Sequence, residues 1–218
     1  MLEVEEVALQ ASNAAPAAWL RLAREADGLH APALAERAAT RAGPEPGAAF
    51  LVSDARRQRR DVALPLDGSI PASREADYVS AVNGVLEPLS EEELSKARVA
   101  LRAMGNAFPG SPGLALGTCA QAVAEKGATA RAACTRAVSV FEEAPRAQLL
   151  LGIVHGRAGR WAEARQQFQR SMALDDSAGE VWARLSGACG MLGDAAAQRE
   201  LEAPYLAKFG FALRPKSQ

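Results

Sequence analysis

Residues 145–178 carry a hydrophobic pattern that predicts two amphipathic helices joined by a glycine turn. One face of the first helix carries Gln148, Leu151, Gly152 and His155, which recur at helical spacing. One face of the second helix carries Trp161, Ala164, Phe168, Ser171 and Met172, opposite charged and amide side chains. Gly159 lies between the helices and suits the positive φ with which many helices end. A single hairpin cannot bury these apolar faces, so the pattern predicts further copies packed beside it.

The same pattern returns one unit later along the chain. In residues 179–212 it is carried by Trp182, Leu185, Ser186, Cys189 and Gly193. The two copies resemble the tetratricopeptide repeat, a helix–turn–helix unit of about 34 residues. The matching residues are Leu151, Gly152, Gly159, Ala164, Phe168 and the closing Ala173, Leu174 and Asp175. The resemblance covers residues 145–193 best and extends more weakly over 16–43 and 74–143.

The resemblance implies an all-α fold, a right-handed α-solenoid of stacked helix–turn–helix hairpins with one irregular insertion. We expect a single domain over residues 1–218, with an N-terminal hairpin at 16–43, the insertion at 44–74, and repeats with a capping helix at 74–212. Two interpretations of the insertion stay open. It is either a helix from about residue 47 to residue 60 followed by an extended strap, or two short strands around a basic loop.

Several local signals refine the predicted helices. In the N-terminal hairpin, the faces to be buried carry Trp19, Leu22, Ala23 and Ala26, and then Leu34, Ala35, Ala38 and Ala42. Ser90 with Glu93, and Ser177 with Glu180, have the spacing of capping boxes that open helices. Gly152 is expected to let a neighbouring helix come close. The apolar tail at residues 209–213 is expected to fold back on the last helix.

Composition and charge narrow the classes of function. The net charge is −1 and the pI about 6.2, so no strong field draws the chain to nucleic acid or to a membrane surface. The N-terminus lacks the pattern of a secretory signal and no apolar run reaches about 18 residues, so we expect a cytoplasmic protein without membrane insertion. An upstream leader outside the sequence stays open. The three cysteines lack metal-ligand spacing and are expected to be small core residues in a reducing compartment.

Catalytic and cofactor motifs are missing from the pattern. There is no glycine-rich phosphate loop, nucleophile elbow or paired metal-ligand helix. His30 falls in a predicted turn, and His155 falls at a core position of the hairpin, where packing explains it better than catalysis. We therefore expect a protein that is not an enzyme and that holds no cofactor and no metal.

The resemblance also implies a binding surface. First helices of successive repeats line a concave groove that commonly holds a partner's peptide or helix. Carried onto this sequence, the lining residues are Arg146, Leu149, Ile153 and Arg157 from one unit and Glu180, Ala183, Gly187 and Met191 from the next. These are not the lysine and asparagine of members that clamp a C-terminal carboxylate, so an apolar segment with charged flanks is favoured. Alternatively, residues 44–74 of the same chain fill the groove.

A second candidate surface is the arginine run of the insertion, Arg56, Arg57, Arg59 and Arg60. It is interpreted as a solvated loop, as a docking loop for an acidic partner, or as a contact to phosphates. We expect a non-catalytic adaptor that binds another protein and no nucleic acid. The alternative is a structural subunit of a larger bacterial-type assembly, such as secretion, pilus or motility machinery. The oligomeric state stays open.

Overall fold

A computed structural model describes residues 2–29, 31–65, 68–86 and 90–214, and all the regular structure in these ranges is helical. The all-α prediction is confirmed. The helices are α1 (Leu2–Ala11), α2 (Pro16–Gly28), α3 (Pro32–Ala42), α4 (Ala48–Asp61), α5 (Ala72–Leu86), α6 (Glu91–Ala107), α7 (Pro112–Ala124), α8 (Ala130–Val140), α9 (Pro145–Arg157), α10 (Trp161–Leu174), α11 (Gly179–Met191), α12 (Ala195–Glu200) and α13 (Glu202–Phe209). The chain forms two compact units, Met1–Gly117 and Thr118–Gln218, whose boundary falls within α7.

One hydrophobic core of the first unit is built from α2, α3 and α4. The predicted faces of α2 and α3 are both buried, and Leu22 and Leu34 have no exposed surface. Most of the other buried side chains here are alanines, which let the helices approach closely. The insertion forms the helix α4, so the helical interpretation of residues 47–60 is confirmed and the pair of strands is wrong. Leu51 and Ala55 bury one side of α4 against this core.

Helix α5 places two buried polar side chains at the starts of other helices. A Glu75 carboxylate oxygen accepts a hydrogen bond from the backbone N–H of Leu34, at 3.3 Å, in the first turn of α3. The Tyr78 hydroxyl bonds the Ser111 hydroxyl and accepts from the N–H groups of Gly113 and Leu114, in the first turn of α7. The N-cap residue of α3, Ala31, has no side chain that can do this. Partners distant in sequence thus satisfy the unpaired donors of both helix starts.

Glu75 predicts a specific pH dependence of stability. Burial raises the pKa of its carboxyl above its usual value of 4.5, against the Leu34 N–H and the charge of Arg37, which lower it. A carboxyl whose pKa is higher in the folded state than in the unfolded state stabilises the protein fully at a pH below its unfolded-state pKa. This stabilisation is lost as the pH rises through the folded-state pKa. The glutamine of a Glu75→Gln variant keeps an oxygen that can accept the hydrogen bond, but it cannot ionise. The free energy of unfolding of this variant should therefore fall less with rising pH than that of the wild type.

Urea unfolding at several pH values, from about pH 4 to about pH 8, measures this difference. The exposed Glu25→Gln variant serves as the control, and its pH profile should follow the wild type. Parallel profiles for Glu75→Gln and the wild type would contradict the prediction.

The helices from α7 onward recur at nearly constant spacing. The first helices α7, α9 and α11 each have 13 residues, and they begin at Pro112, Pro145 and Gly179, at nearly equal intervals along the chain. Each ends in the same way, with a left-handed residue at Lys126, Gly159 and Gly193. The N–H that follows each of these residues bonds a carbonyl five residues before it, for example Arg160 to His155 at 3.0 Å. This is the Schellman motif, and the positive φ predicted for Gly159 is confirmed.

Lys126 is the one of these three end residues that carries a side chain, with φ of 53°. A non-glycine residue in this conformation costs about 1–2 kcal/mol, part of which the lower backbone freedom of the unfolded chain offsets. Lys126→Gly is therefore expected to raise the free energy of unfolding by about 0.5–1 kcal/mol. Chemical denaturation measures the change. Gly159→Ala should lower the free energy of unfolding, because Gly159 has a φ of 71°, which alanine adopts only at a cost. The added Cβ would meet no neighbouring group within 4 Å, so this loss would come from the backbone conformation. A loss of stability in Lys126→Gly would contradict the argument.

Helices α9 and α10 meet at a glycine. A Cβ placed on Gly152 would lie 2.5 Å from Cε1 of the Phe168 ring, so the two helices are in contact at this point. Phe168 is 2% exposed and Ala164 is fully buried. The close approach predicted at Gly152 is confirmed. Leu151 and Trp182 are also buried, as the pattern requires.

The cysteines do not match the sequence expectation. Cys119 of α7 and Cys134 of α8 form a disulfide, with the Cα atoms 4.6 Å apart, and Cys189 is a buried free thiol. The expectation that all three are unpaired core residues is wrong for the first two. Their helical positions suggested packing, but α7 and α8 bring the two thiols together at the centre of a hairpin.

Two further predictions concern helix starts. The capping box at Ser90 is confirmed, since its hydroxyl accepts from the N–H of Glu93 at 3.1 Å. The capping box at Ser177 is wrong. Helix α11 begins one residue later than that box requires, after Ala178, and the Ser177 hydroxyl donates to Asp175 instead. The turn expected at His30 lies outside the described residues.

The chain after α11 folds back on it. Tyr205 of α13 lies 6.0 Å from the Trp182 ring and 5.5 Å from the Phe211 ring, measured between centroids. Phe209 joins the same cluster at 4.5 Å from Tyr205. The prediction that the tail packs on the last hairpin is confirmed by these contacts. Two short helices, α12 and α13, stand where the earlier hairpins have one longer helix.

Candidate interaction face on α9 and α11

Side chains of the hairpins fix the starts of α9 and α11. The Ser171 hydroxyl of α10 donates to the Pro145 carbonyl at 2.8 Å, and Gln148 Nε2 donates to the Glu142 carbonyl at 2.9 Å. The Trp182 indole N–H donates to the Asp176 carbonyl at 2.8 Å. These bonds tie each first helix to the turn that precedes it. The residues that the sequence places on the groove are therefore held on rigid elements.

Helices α9 and α11, which carry the two halves of the predicted groove, are in contact. The structure divides the eight positions into two classes. The four small or apolar positions, Leu149, Ile153, Ala183 and Gly187, are buried. The other four are accessible to different degrees: Arg146 and Glu180 are half-buried, Arg157 is exposed, and Met191 is 53% exposed. The accessible part of the predicted groove thus consists of three charged side chains and one apolar side chain.

Arg157 and Glu180 both make contacts within the chain. Arg157 Nη1 donates to the Val123 carbonyl at 2.5 Å, near the end of α7. A carboxylate oxygen of Glu180 pairs with the guanidinium of Arg184, one turn along α11, at 3.1 Å. A partly exposed ion pair such as Glu180–Arg184 contributes little stability, about 0–1 kcal/mol, so a competing charge could replace it. The accessible positions therefore combine the apolar Met191, the last residue of α11, with charged side chains on α9 and α11.

His155 has a structural environment. Its Nδ1 accepts a hydrogen bond from Arg160 Nε at 3.1 Å, and the ring is half-buried. Burial lowers the pKa of His155, and the charge of Arg160 lowers it further. The imidazole is therefore neutral at physiological pH and holds the turn between α9 and α10. The half-buried position predicted for this residue is confirmed.

The arginine run lies on α4 and is not a loop, so the description of it as a docking loop is wrong. Two of its members bind one buried carboxylate: Arg56 and Arg59 contact Glu36 of α3 at 2.6 Å and 3.1 Å. Arg57 pairs with Asp54 at 2.7 Å, and Arg60 lies 3.8 Å from Asp61. The positive charge of the run is largely matched by carboxylates of the first unit.

The residues that the sequence interpretation missed are those whose partners lie far along the chain. The Glu36 ion pairs and the Cys119–Cys134 bond are the main examples. A signal for the second was present, since these cysteines stand one repeat length before Gly152 and Phe168, at equivalent places in their hairpin. Among the residues that the structure describes, no helix has the length and apolarity needed to cross a membrane.

Comparison of the chain with protein-family models and with curated proteins returned no match. The candidate face consists of first helices of equal length that are held at their starts by side-chain hydrogen bonds. Its accessible positions are Met191 and three charged side chains.

Proposed function

We propose that the chain is a non-catalytic protein-interaction module whose helix–turn–helix hairpins are tetratricopeptide-like and stack in the right-handed order of an α-solenoid. The observation that carries the proposal is the spacing of α7, α9 and α11, which have equal lengths and begin at nearly equal intervals along the chain. The Gly152–Phe168 contact supports it, because a close approach of paired helices is what such a hairpin needs. Stacked hairpins offer a large preformed surface for a partner.

The binding face that we propose is the accessible part of the α9–α11 groove. Met191, the last residue of α11, supplies an apolar contact, and Arg157, the last residue of α9, supplies a positive charge. Arg146 and Glu180 lie near the starts of the same two helices and supply charges of opposite sign. A partner helix or extended peptide that carries an apolar side chain and separate charged ones along its length would complement this arrangement. The buried Leu149 and Ile153 support the face from within, and we do not assign them direct contact with the partner.

Binding can be tested with the full chain immobilised and exposed to extracts of its source cells. Met191→Glu is expected to lower the captured amount of a specific partner at least tenfold, because a charge replaces the apolar contact. Gln169→Glu is the matched control, since it adds the same charge on an exposed position of α10 and should leave capture unchanged. Circular dichroism should show equal helical content for all three proteins. Equal capture by the Met191 variant would contradict the proposed face.

The alternative function, a structural subunit of a larger bacterial-type assembly, is favoured by exposed apolar side chains of the last hairpin. Met191, Leu206 and Phe211 are each more than half exposed. An adaptor should remain a monodisperse monomer when purified alone. A permanent subunit should associate or aggregate without its partners, because these side chains would normally be covered. Sedimentation of the purified chain distinguishes the two.

A further inference from the structure

The disulfide stands in place of an aromatic contact. Cys119 occupies in α7 the position that Gly152 occupies in α9, eighth in a helix of equal length. The buried residues of α8 align with those of α10 at one constant interval along the chain. Ala130 aligns with Ala164, Cys134 with Phe168, and Ala137 with Ser171. The two hairpins therefore use equivalent places differently. One places a ring against a glycine, and the other joins two sulfurs.

Without that bond, the inner face of α8 would have little to pack. Its buried side chains are Ala130, Cys134 and Ala137, whereas α10 buries Ala164, Gln167, Phe168 and Ser171. An aromatic ring is the largest apolar contribution that a helix face of this kind can make. Two thiols bury much less apolar surface than a ring. The covalent bond thus stabilises the contact between α7 and α8, whereas side-chain packing stabilises the contact between α9 and α10.

Both sulfurs are sheltered. Cys119 and Cys134 have no exposed surface, and the Cα separation of 4.6 Å lies within the usual range for disulfides. Thiol–disulfide exchange requires a thiolate to reach a sulfur atom, so reduction requires the hairpin to open first. A bond buried in this way is unsuited to repeated switching.

From these observations we propose that Cys119–Cys134 is a permanent structural cross-link, and that the protein acquires it during folding in an oxidising compartment. The reaction is exchange with a protein disulfide of the thiol oxidoreductase class. One cysteine thiolate attacks that disulfide and forms a mixed disulfide, and the second thiolate then displaces the oxidoreductase. The two cysteines lose two protons and two electrons, and the oxidoreductase leaves as a dithiol. Cys189 remains a thiol, since it is buried in α11 and has no cysteine partner among the described residues.

The proposal changes the expected location of the protein. Persistent structural disulfides belong to secreted, periplasmic and luminal proteins, whereas cytosolic thiols are kept reduced. The expectation of a reducing compartment depends on all three cysteines being unpaired. With two of them joined, the thiol chemistry favours an oxidising compartment.

Thiol counting in the source cells tests the proposal directly. Cells are quenched with acid, and the denatured protein is labelled with a maleimide of high mass, with and without prior reduction. We expect one labelled thiol without reduction and three after it, since the chain has three cysteines and two are joined. In a Cys189→Ser variant expressed in the same cells, the counts should be none and two. Three labelled thiols without prior reduction would overturn the proposal.

A second measurement tests whether the bond is permanent. The oxidised, folded chain is incubated with dithiothreitol without denaturant, and the labelled thiols are counted over time. Labelling of Cys119 and Cys134 should stay absent in this incubation, and it should appear only in a parallel sample to which denaturant is added to open the protein. Rapid reduction of the folded chain would show an exchangeable bond and would overturn the structural role. A cross-link between Cys189 and either of the other two, found by peptide mapping, would also overturn it.

Discussion

Replacing Cys119 and Cys134 together with alanine is expected to lower the free energy of unfolding by about 3 kcal/mol. The bond closes a loop with a sequence separation of 15 residues, and the loss of chain entropy in the unfolded state for such a loop corresponds to about 3 kcal/mol. The hairpin also loses the packing of both sulfurs. Urea denaturation of the oxidised wild type and of the variant, followed by circular dichroism, measures the difference.

A second variant separates the bond from the space that it fills. Cys119→Gly with Cys134→Phe introduces into α7–α8 the pair that α9 and α10 use at Gly152 and Phe168. If the two hairpins are equivalent, this variant should regain part of the stability lost by the alanine pair, and reductant should not affect it. A glycine–phenylalanine pair no more stable than the alanine pair would contradict the equivalence of the two hairpins.

Gly152→Leu is expected to cost about 1–3 kcal/mol by overpacking the contact between α9 and α10. The added Cβ alone would lie 2.5 Å and 2.6 Å from two atoms of the Phe168 ring, which is itself buried. Either the ring or the helix must move to admit the larger side chain. The melting temperature and the urea midpoint both report the loss.

Gly105 provides the matched control for this substitution. It also lies inside a helix, α6, but a Cβ there would meet its nearest atom, on Leu114, at 3.5 Å, which is ordinary contact. Gly105→Ala should therefore stabilise the chain by about 0.5–1 kcal/mol, the usual gain from removing a glycine from a helix. A neutral Gly152→Leu, alongside a stabilising Gly105→Ala, would show that α9 and α10 do not pack as described.

The parts of the fold that could be predicted from the sequence are those determined by neighbouring residues. Helical periodicity identified the buried faces of α2 and α3, and Gly159 marked the end of α9. Gly152 was recognised as a close contact because a gap in an apolar face needs a neighbour to fill it. Each of these signals is contained within one or two turns of helix.

The remaining features depend on pairs that are distant in sequence. Glu75 and Leu34 are 41 residues apart, and Tyr78 and Ser111 are 33 apart. Nothing local in the sequence shows that a glutamate in one helix accepts from the start of another. The disulfide is not predicted because periodicity places Cys119 and Cys134 on helices without showing that the two thiols meet across the hairpin. When α7, α9 and α11 are aligned at the Schellman motifs that end them, the residues of the hairpins fall at equivalent positions.

The candidate face also combines features that neighbouring residues determine with features that depend on distant contacts. The sequence predicts groove positions on α9 and α11, but periodicity does not distinguish a side chain that lines a groove from one that is buried beneath it. Leu149 and Ile153 prove to be 4% and 6% exposed, so the aspartate substitutions that the pattern would suggest there would disturb folding. Met191 is the position at which binding can be tested with least effect on the fold.

Helix α5 limits how the N-terminal half can be divided. Its Glu75 accepts a hydrogen bond from the start of α3, which precedes α5 in the chain. Its Tyr78 accepts hydrogen bonds from the start of α7, which follows α5. A fragment that stops before residue 72, or one that starts after residue 86, would leave a helix start without its acceptor. Residues 1–117 should therefore be kept as one piece in any minimised version of the protein, and limited proteolysis between α3 and α7 should release peptides that no longer hold their helical structure.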